Sequence, residues 1–205
     1  MLHQSFRRNF PQHALAVSTW VQEHDPRTMG MELSWEIDAR SIVREGAVGD
    51  VSMAIRFATV DDIPALVALG KRMHAITRFR TFAFDEERVA QALRAALEKG
   101  TQRYVCFVAE DGDKQIAGAL LAVLERHIFS EQLTASVMHY DVLPERRMGG
   151  HGVRLLKVFE QWCKNRFVAE INVGINSLTE MDSVGGFVSK MGYVKVGENF
   201  VKGIV

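Results

Sequence analysis

The chain has 205 residues, enough to bury one hydrophobic core with a further segment attached. Hydrophobic residues make up 47% and charged residues 24%, and Lys+Arg and Asp+Glu each number 25. That is the balance of an ordinary globular chain, and it excludes whole-surface attraction to DNA, RNA or an anionic membrane.

Cys106 and Cys163 have neither metal-ligand spacing nor a disulfide pattern, so both read as core thiols and no metal is expected. No apolar run reaches the ~18 residues that span a bilayer. The opening MLHQSFRRNF lacks a cleavage signal, and the expectation is a soluble, cytoplasmic protein.

Residues 1–52 show no sustained period, although Leu33 to Val43 allows one short element. They read as an extension of unknown role, or as the product of a start codon assigned too far upstream. Regular patterning begins at Met53. Ile55 to Ala58 reads as a strand, and Thr59 with Asp61 and Asp62 caps a helix carrying Ile63, Leu66, Val67, Gly70 and Met73 at helical spacing. Asp85 to Lys99 reads as a second helix stopped by Gly100. Three strands follow: Tyr104 to Ala109, Ile116 to Leu124 and Thr134 to Leu143, the last ended by Pro144. A glycine-rich turn then leads into a helix from Gly152 to Asn165 with the stripe Leu155, Leu156, Phe159, Trp162 and Cys163. Ala169 to Ile175 reads as a strand, the stretch to Met191 as part helix, and Tyr193 to Val196 and Phe200 to Ile204 as two closing strands. The order β-α-α-β-β-β-α-β-α-β-β implies a mixed α/β (α+β) domain around one sheet, spanning 53–205.

The chemistry concentrates in HYDVLPERRMGGHGVRLL. A strand ends, Gly149, Gly150 and Gly152 turn the backbone, and a helix begins at once. Such a junction gathers free N–H groups at the positive end of a helix dipole, where a pyrophosphate sits well, and Arg146 and Arg147 add charge. No G-K-[ST] follows, so it is not a Walker loop, and the spacing is not that of a Rossmann fingerprint.

Val142-Leu143-Pro144-Glu145 followed by Arg147-Met148-Gly149-Gly150-His151-Gly152 resembles the acetyl-CoA motif Q/R-x-x-G-x-G/A of the GNAT (Gcn5-related N-acetyltransferase) superfamily. The opening IRFATVDDIPALVALGKRMH and the closing KMGYVKVGENFVK resemble that family too, so the likeness covers Met53 to Lys202. The wording around ERHIF and LPERRMGG resembles phage and prophage members. The resemblance implies a mostly antiparallel central sheet, flanked by helices, whose fourth and fifth strands splay apart. It implies acetyl-CoA as acyl donor, with its pantetheine arm along Val142 and Leu143. Its pyrophosphate would lie on Arg147, Met148, Gly149, Gly150, His151, Gly152 and Val153, and Asn176, after the fifth strand, would touch the cofactor.

The implied reaction is attack of a primary amine, on a small molecule or a protein, on the acetyl thioester. An unperturbed lysine is neutral in only roughly one molecule in 2,500 at pH 7, so a proton must be removed. His139 and Asp141, on one face of their strand, are the candidate catalytic residues, and His suits base work near neutral pH. Tyr140 points to the other face and reads as core, as does Tyr193. Glu125 and His127 stand at a strand end. Ser136 occupies a position where some relatives carry Glu, and Val188 one where many carry an acid Tyr. That departure keeps open a catalytically impaired acetyl-CoA-binding module, and a third reading is acyl transfer to modified phage DNA bases. Membrane and nucleic-acid partners are not expected, while a homodimer is open to such a domain.

Overall fold

The computed structural model describes residues 53–98, 103–178, 180–197 and 199–204. Expectations for residues 1–52 and for Lys99 and Gly100 lie outside the described residues. Five strands form one sheet in the order β1-β2-β3-β4-β5. They are β1 (Ala54–Phe57), β2 (Tyr104–Glu110), β3 (Ile116–Arg126), β4 (Leu133–Val142) and β5 (Val168–Val173). The first four pair antiparallel, and β4 pairs with β5 in parallel. Among the described residues four helices flank the sheet: α1 (Ile63–Ile76), α2 (Glu86–Glu98), α3 (His151–Lys164) and α4 (Met181–Lys190).

Each face of the sheet has its own apolar layer. On one, Ile63, Leu66, Val67 and Leu69 of α1 and Leu93 of α2 cover Cys106, Val108 and Ala119. On the other, the stripe Leu155, Leu156, Phe159, Trp162 and Cys163 of α3 covers Phe107, Leu120, Ala122 and Leu124, all at most 6% exposed. The two cysteines are buried core thiols, and burial raises the pKa of each. The start of α1 is fixed by charge: Arg56 on β1 grips Asp62 through both guanidinium nitrogens, at 2.7 and 2.8 Å. Asp62 in turn accepts from the Thr59 N–H at 2.7 Å, so the acid that caps the helix is itself held in place.

The elements match the order read from the sequence as far as α4, and the chain then departs from it. Tyr193 to Val196 and Phe200 to Ile204 are not strands. Val194, Val196, Phe200 and Ile204 are at least 80% exposed. A short apolar run becomes a strand only when its backbone pairs with a neighbour, and propensity alone does not supply one.

Two details of β4 shape the functional site. Its pairing with β3 slips between Leu121 and Ala122, so that Leu121 faces His139 and Ala122 faces Val137, leaving Met138 as the extra residue of a bulge. The bulge inverts the alternation of side chains. Ala135 and Val137 pack on the α3 side, as do Tyr140 and Val142, whereas His139 and Asp141 pair with Leu121 and Ala119 of the α1 layer. The parallel pairing with β5 ends at Val137 and Val173, although β4 continues to Val142. From Met138 onward the two strands part, and a gap opens beside the last five residues of β4.

Candidate functional site

The gap is bordered by the turn that follows β4. Pro144–Gly149 forms a 3-10 turn, Gly150 adopts φ +77°, and α3 starts at His151. Gly150 sits in the left-handed region, and a Cβ there would meet open space, so the backbone rather than crowding demands glycine. Gly152 differs: its Cβ would lie 2.8 Å from the Tyr140 hydroxyl, so glycine is what lets α3 approach β4. Among the described residues no side chain caps α3. The Arg154 N–H bonds to the Gly150 carbonyl, and the N–H groups of His151, Gly152 and Val153 precede that first helical bond. Open space over uncapped N–H groups at the positive end of a 14-residue helix is a fit for a phosphate.

Side chains stiffen the turn. Arg146 pairs with the buried Asp111 at 2.8 Å, and Asp111 also accepts from the N–H groups of Asp113 and Gln115 in the β2–β3 turn. His151 is buried, with Nδ1 3.0 Å from the Arg146 carbonyl. Met148 is 98% exposed and holds nothing in place.

Arg147 spans the gap. Its Nε donates to the Val142 carbonyl at 3.2 Å, and its Nη1 lies 2.5 Å from Glu180 Oε1, just before α4. The Leu143 N–H donates to the Ala117 carbonyl at 2.8 Å and is thus already used within the sheet. Asn176, beyond β5, is also engaged: its side-chain oxygen accepts from Arg78 Nε at 2.8 Å and its carbonyl from the Arg78 N–H at 3.2 Å.

The α1 side of the gap holds the titratable groups. Asp141 is 8% exposed and forms an ion pair with Arg72 of α1, and Arg147 Nη2 lies 4.0 Å from its other oxygen. Arg72 also reaches the Val142 carbonyl at 3.4 Å. His139 is half-buried, its Nε2 is enclosed with no hydrogen-bond partner, and burial, followed by the Arg72 charge, pushes its pKa down to about 4. It is therefore neutral at pH 7. His139 and Asp141 do share a face, as their spacing implies, but Asp141 is occupied by a cation while His139 Nε2 has no partner. The end of α1 and the residues after it meet the segment that follows β5: the Leu178 N–H donates to the Ile76 carbonyl, Thr77 bridges Ser177, and Arg78 meets Asn176.

Other candidates fall elsewhere. Glu125 is paired with Arg103 and sits opposite Thr134, on the far side of the bulge from Asp141, and His127 lies in the β3–β4 turn. Tyr140 is half-buried over Phe187, and Tyr193 packs against the α3 layer. Val188 is buried in α4. Arg72, Arg78 and Glu180 were not legible as site residues from sequence, because each acquires its role from a partner at least 33 positions away. Among the described residues no cluster of His, Cys, Asp and Glu could hold a metal, and no helix is long and apolar enough to cross a membrane.

Comparison with known proteins points the same way. No curated protein matches the chain. Among solved structures, a possible acetyltransferase from Clostridium difficile 630 superposes with TM-score 0.61 at 12% identity, covering 76% of this chain and 99% of that one. A transcriptional regulator from Bacillus halodurans C-125 gives 0.62 at 16%, over 75% and 100%. An aminoglycoside acetyltransferase from an uncultured soil metagenomic sample, solved with sisomicin, gives 0.57 at 18%, over 75% and 97%. At such identities these likenesses establish the fold. The model of the Acetyltransferase (GNAT) family matches residues 71–179, which include β4, the glycine turn, α3 and β5, and the chain belongs to that family.

Proposed function

We propose that the protein transfers an acetyl group from acetyl-CoA to a primary amine. The observation that carries this reading is the gap beside β4, which opens at the Val137–Val173 pair and runs to the uncapped start of α3. The pyrophosphate rests on the N–H groups of 151–153 with Arg147 beside it. The pantetheine arm lies along Val142, whose carbonyl Arg147 must first release. The acyl donor supplies a carbonyl carbon already activated by its thioester.

The chain's own residues orient that carbonyl and manage the proton. The bulge at Met138 turns His139 toward the α1 face, and its neutral, enclosed Nε2 takes the amine's proton by way of a water. Asp141, held by Arg72, fixes the end of β4. With Val188 where the family resemblance puts a tyrosine, that position supplies no acid to the leaving sulfur. The thiol's own acidity, near 8.5, carries that step.

Acetyl-CoA added at about a hundredfold excess over its Kd stabilises the fold by about 2.7 kcal/mol, read as a rise in Tm. Gly150→Glu places a carboxylate in the cradle and removes the rise; a folded variant that responds as the parent does contradicts the placement. The buried Val188 favours a second reading, a module that binds acetyl-CoA without turnover. Binding with no acetylated product from any amine is its signature.

A further inference from the structure

Two of the arginines at the gap are held by carboxylates. Arg72 is matched by Asp141 and Arg147 by Glu180. Arg78 and Arg80, on the 3-10 turn Arg78–Thr81 that follows α1, are matched by no carboxylate among the described residues. Seven other described arginines do hold one: Arg56, Arg72, Arg94, Arg103, Arg126, Arg146 and Arg147. The Arg78 side chain bonds to the neutral Asn176 and lies 4.3 Å above the Phe79 ring. Arg80 is exposed, and its side chain is held by no hydrogen bond or ion pair among the described residues. From Lys71 to Phe84 the chain contains four Lys or Arg residues and one His, but no Asp or Glu. Residues 174–178, on the other bank, carry no charge at all.

This turn is fastened at the gap. The Thr77–Ser177 bridge and the Arg78–Asn176 bonds pin it to the segment after β5. The phosphate-binding turn lies at the start of α3, on the opposite face of the sheet from α1. The arginine turn follows α1 directly, and α1 packs on the face of the sheet to which His139 turns. Phe82, 67% exposed, adds an apolar surface beside the two arginines.

We propose that the acceptor is an amine that also bears an anionic group, a carboxylate or a phosphate, and that Arg78 and Arg80 bind that group. The inference rests on the acetyl-transfer reading and names its substrate class. The amine nitrogen forms a bond to the acetyl carbonyl carbon, and the carbon–sulfur bond breaks with its electron pair on sulfur. The amine's proton passes to His139 and on to solvent or the thiolate. Guanidinium pairs suit carboxylate and phosphate oxygens because their donors form a planar fork. The same two charges repel a polycation, so an amine such as sisomicin, bound in the metagenomic aminoglycoside acetyltransferase, is a poor acceptor here.

The test compares acceptors in matched pairs with the full chain and acetyl-CoA: amino acids against their amides, and O-phosphoethanolamine against ethanolamine, with sisomicin as the polycation. Rates are corrected for the fraction of neutral amine. The anionic member of a pair is preferred in kcat/KM by about tenfold or more, as expected of bonds to a charged group. Raising the salt concentration narrows the preference. Arg80→Gln, which breaks no bond within the described residues, lowers the ratio at least several-fold, through KM. The amino-acid and phosphate arms reveal which anion is read. Equal rates within pairs, a preference for sisomicin, or a ratio unmoved in both Arg80→Gln and Arg78→Gln overturns the proposal while leaving acetyl transfer intact. If acetyl-CoA binds but no amine turns over, the acetyl-transfer reading fails. Anion binding is then read by titrating the amines into the acetyl-CoA complex, and absence of saturable anion-selective binding overturns the proposal as well. Loss of acetyl-CoA binding itself would mark failure of the cradle instead.

Discussion

Arg147 Nη1 lies 2.5 Å from Glu180 Oε1, and the same side chain donates to the Val142 carbonyl, so one arginine straps the two banks of the gap together. A strap across a binding cleft must open for the ligand. Glu180→Ala removes one of its two anchors, and the Kd for acetyl-CoA falls by up to about fivefold, the range of a partly exposed ion pair. Arg147→Ala removes the strap together with the proposed phosphate contact and raises Kd. Calorimetric titration of both variants checks the opposed directions, and two changes of the same sign would contradict them.

Asp141 and Arg72 are the second pair, and here burial decides the outcome. Asp141 is 8% exposed, so removing its partner strands a carboxylate in the protein. Arg72→Met is expected to cost about 2–3 kcal/mol of stability in urea denaturation, below the fully buried range because Arg72 keeps some exposure. Adding Asp141→Asn recovers much of that loss. Additive losses would mean that the pair is not coupled.

The pKa of His139, pushed down to about 4, lies below its unfolded value near 6.5. The unfolded chain therefore takes up a proton that the folded one refuses. Its contribution to stability is complete above pH 6.5 and is lost as pH falls toward 4. His139→Gln flattens the stability profile across that window. In catalysis the same residue gives no inflection near 6.5. kcat/KM instead rises through neutral pH with the neutral fraction of the acceptor amine, and His139→Ala lowers kcat by about 10²–10⁴-fold if the imidazole is the base. A limb centred near 6.5 in kcat/KM would show a solvated imidazole in its place.

Much of this was legible in the sequence. The five buried residues of the α3 stripe, the strands β2 to β4 and the glycine turn all follow from local pattern, because each is fixed by neighbours within a few positions. The closing strands were not, since Val194 and Phe200 say nothing about whether a partner edge is available to them. The spacing of His139 and Asp141 puts them on one face, but which face depends on the bulge at Met138, a slip in pairing that no single-strand pattern reveals. The loop Arg78 to Phe84 reads as unremarkable until the contact with Asn176 sets it at the gap.

Acetyl transfer itself is tested most directly by incubating the purified full chain with acetyl-CoA and a set of primary amines, following free thiol and the mass of each product. Thiol release that requires an amine is expected, with a product heavier by one acetyl group on nitrogen, and loss of both in Gly150→Glu. Tight acetyl-CoA binding with no acetylated product from any amine would contradict the account.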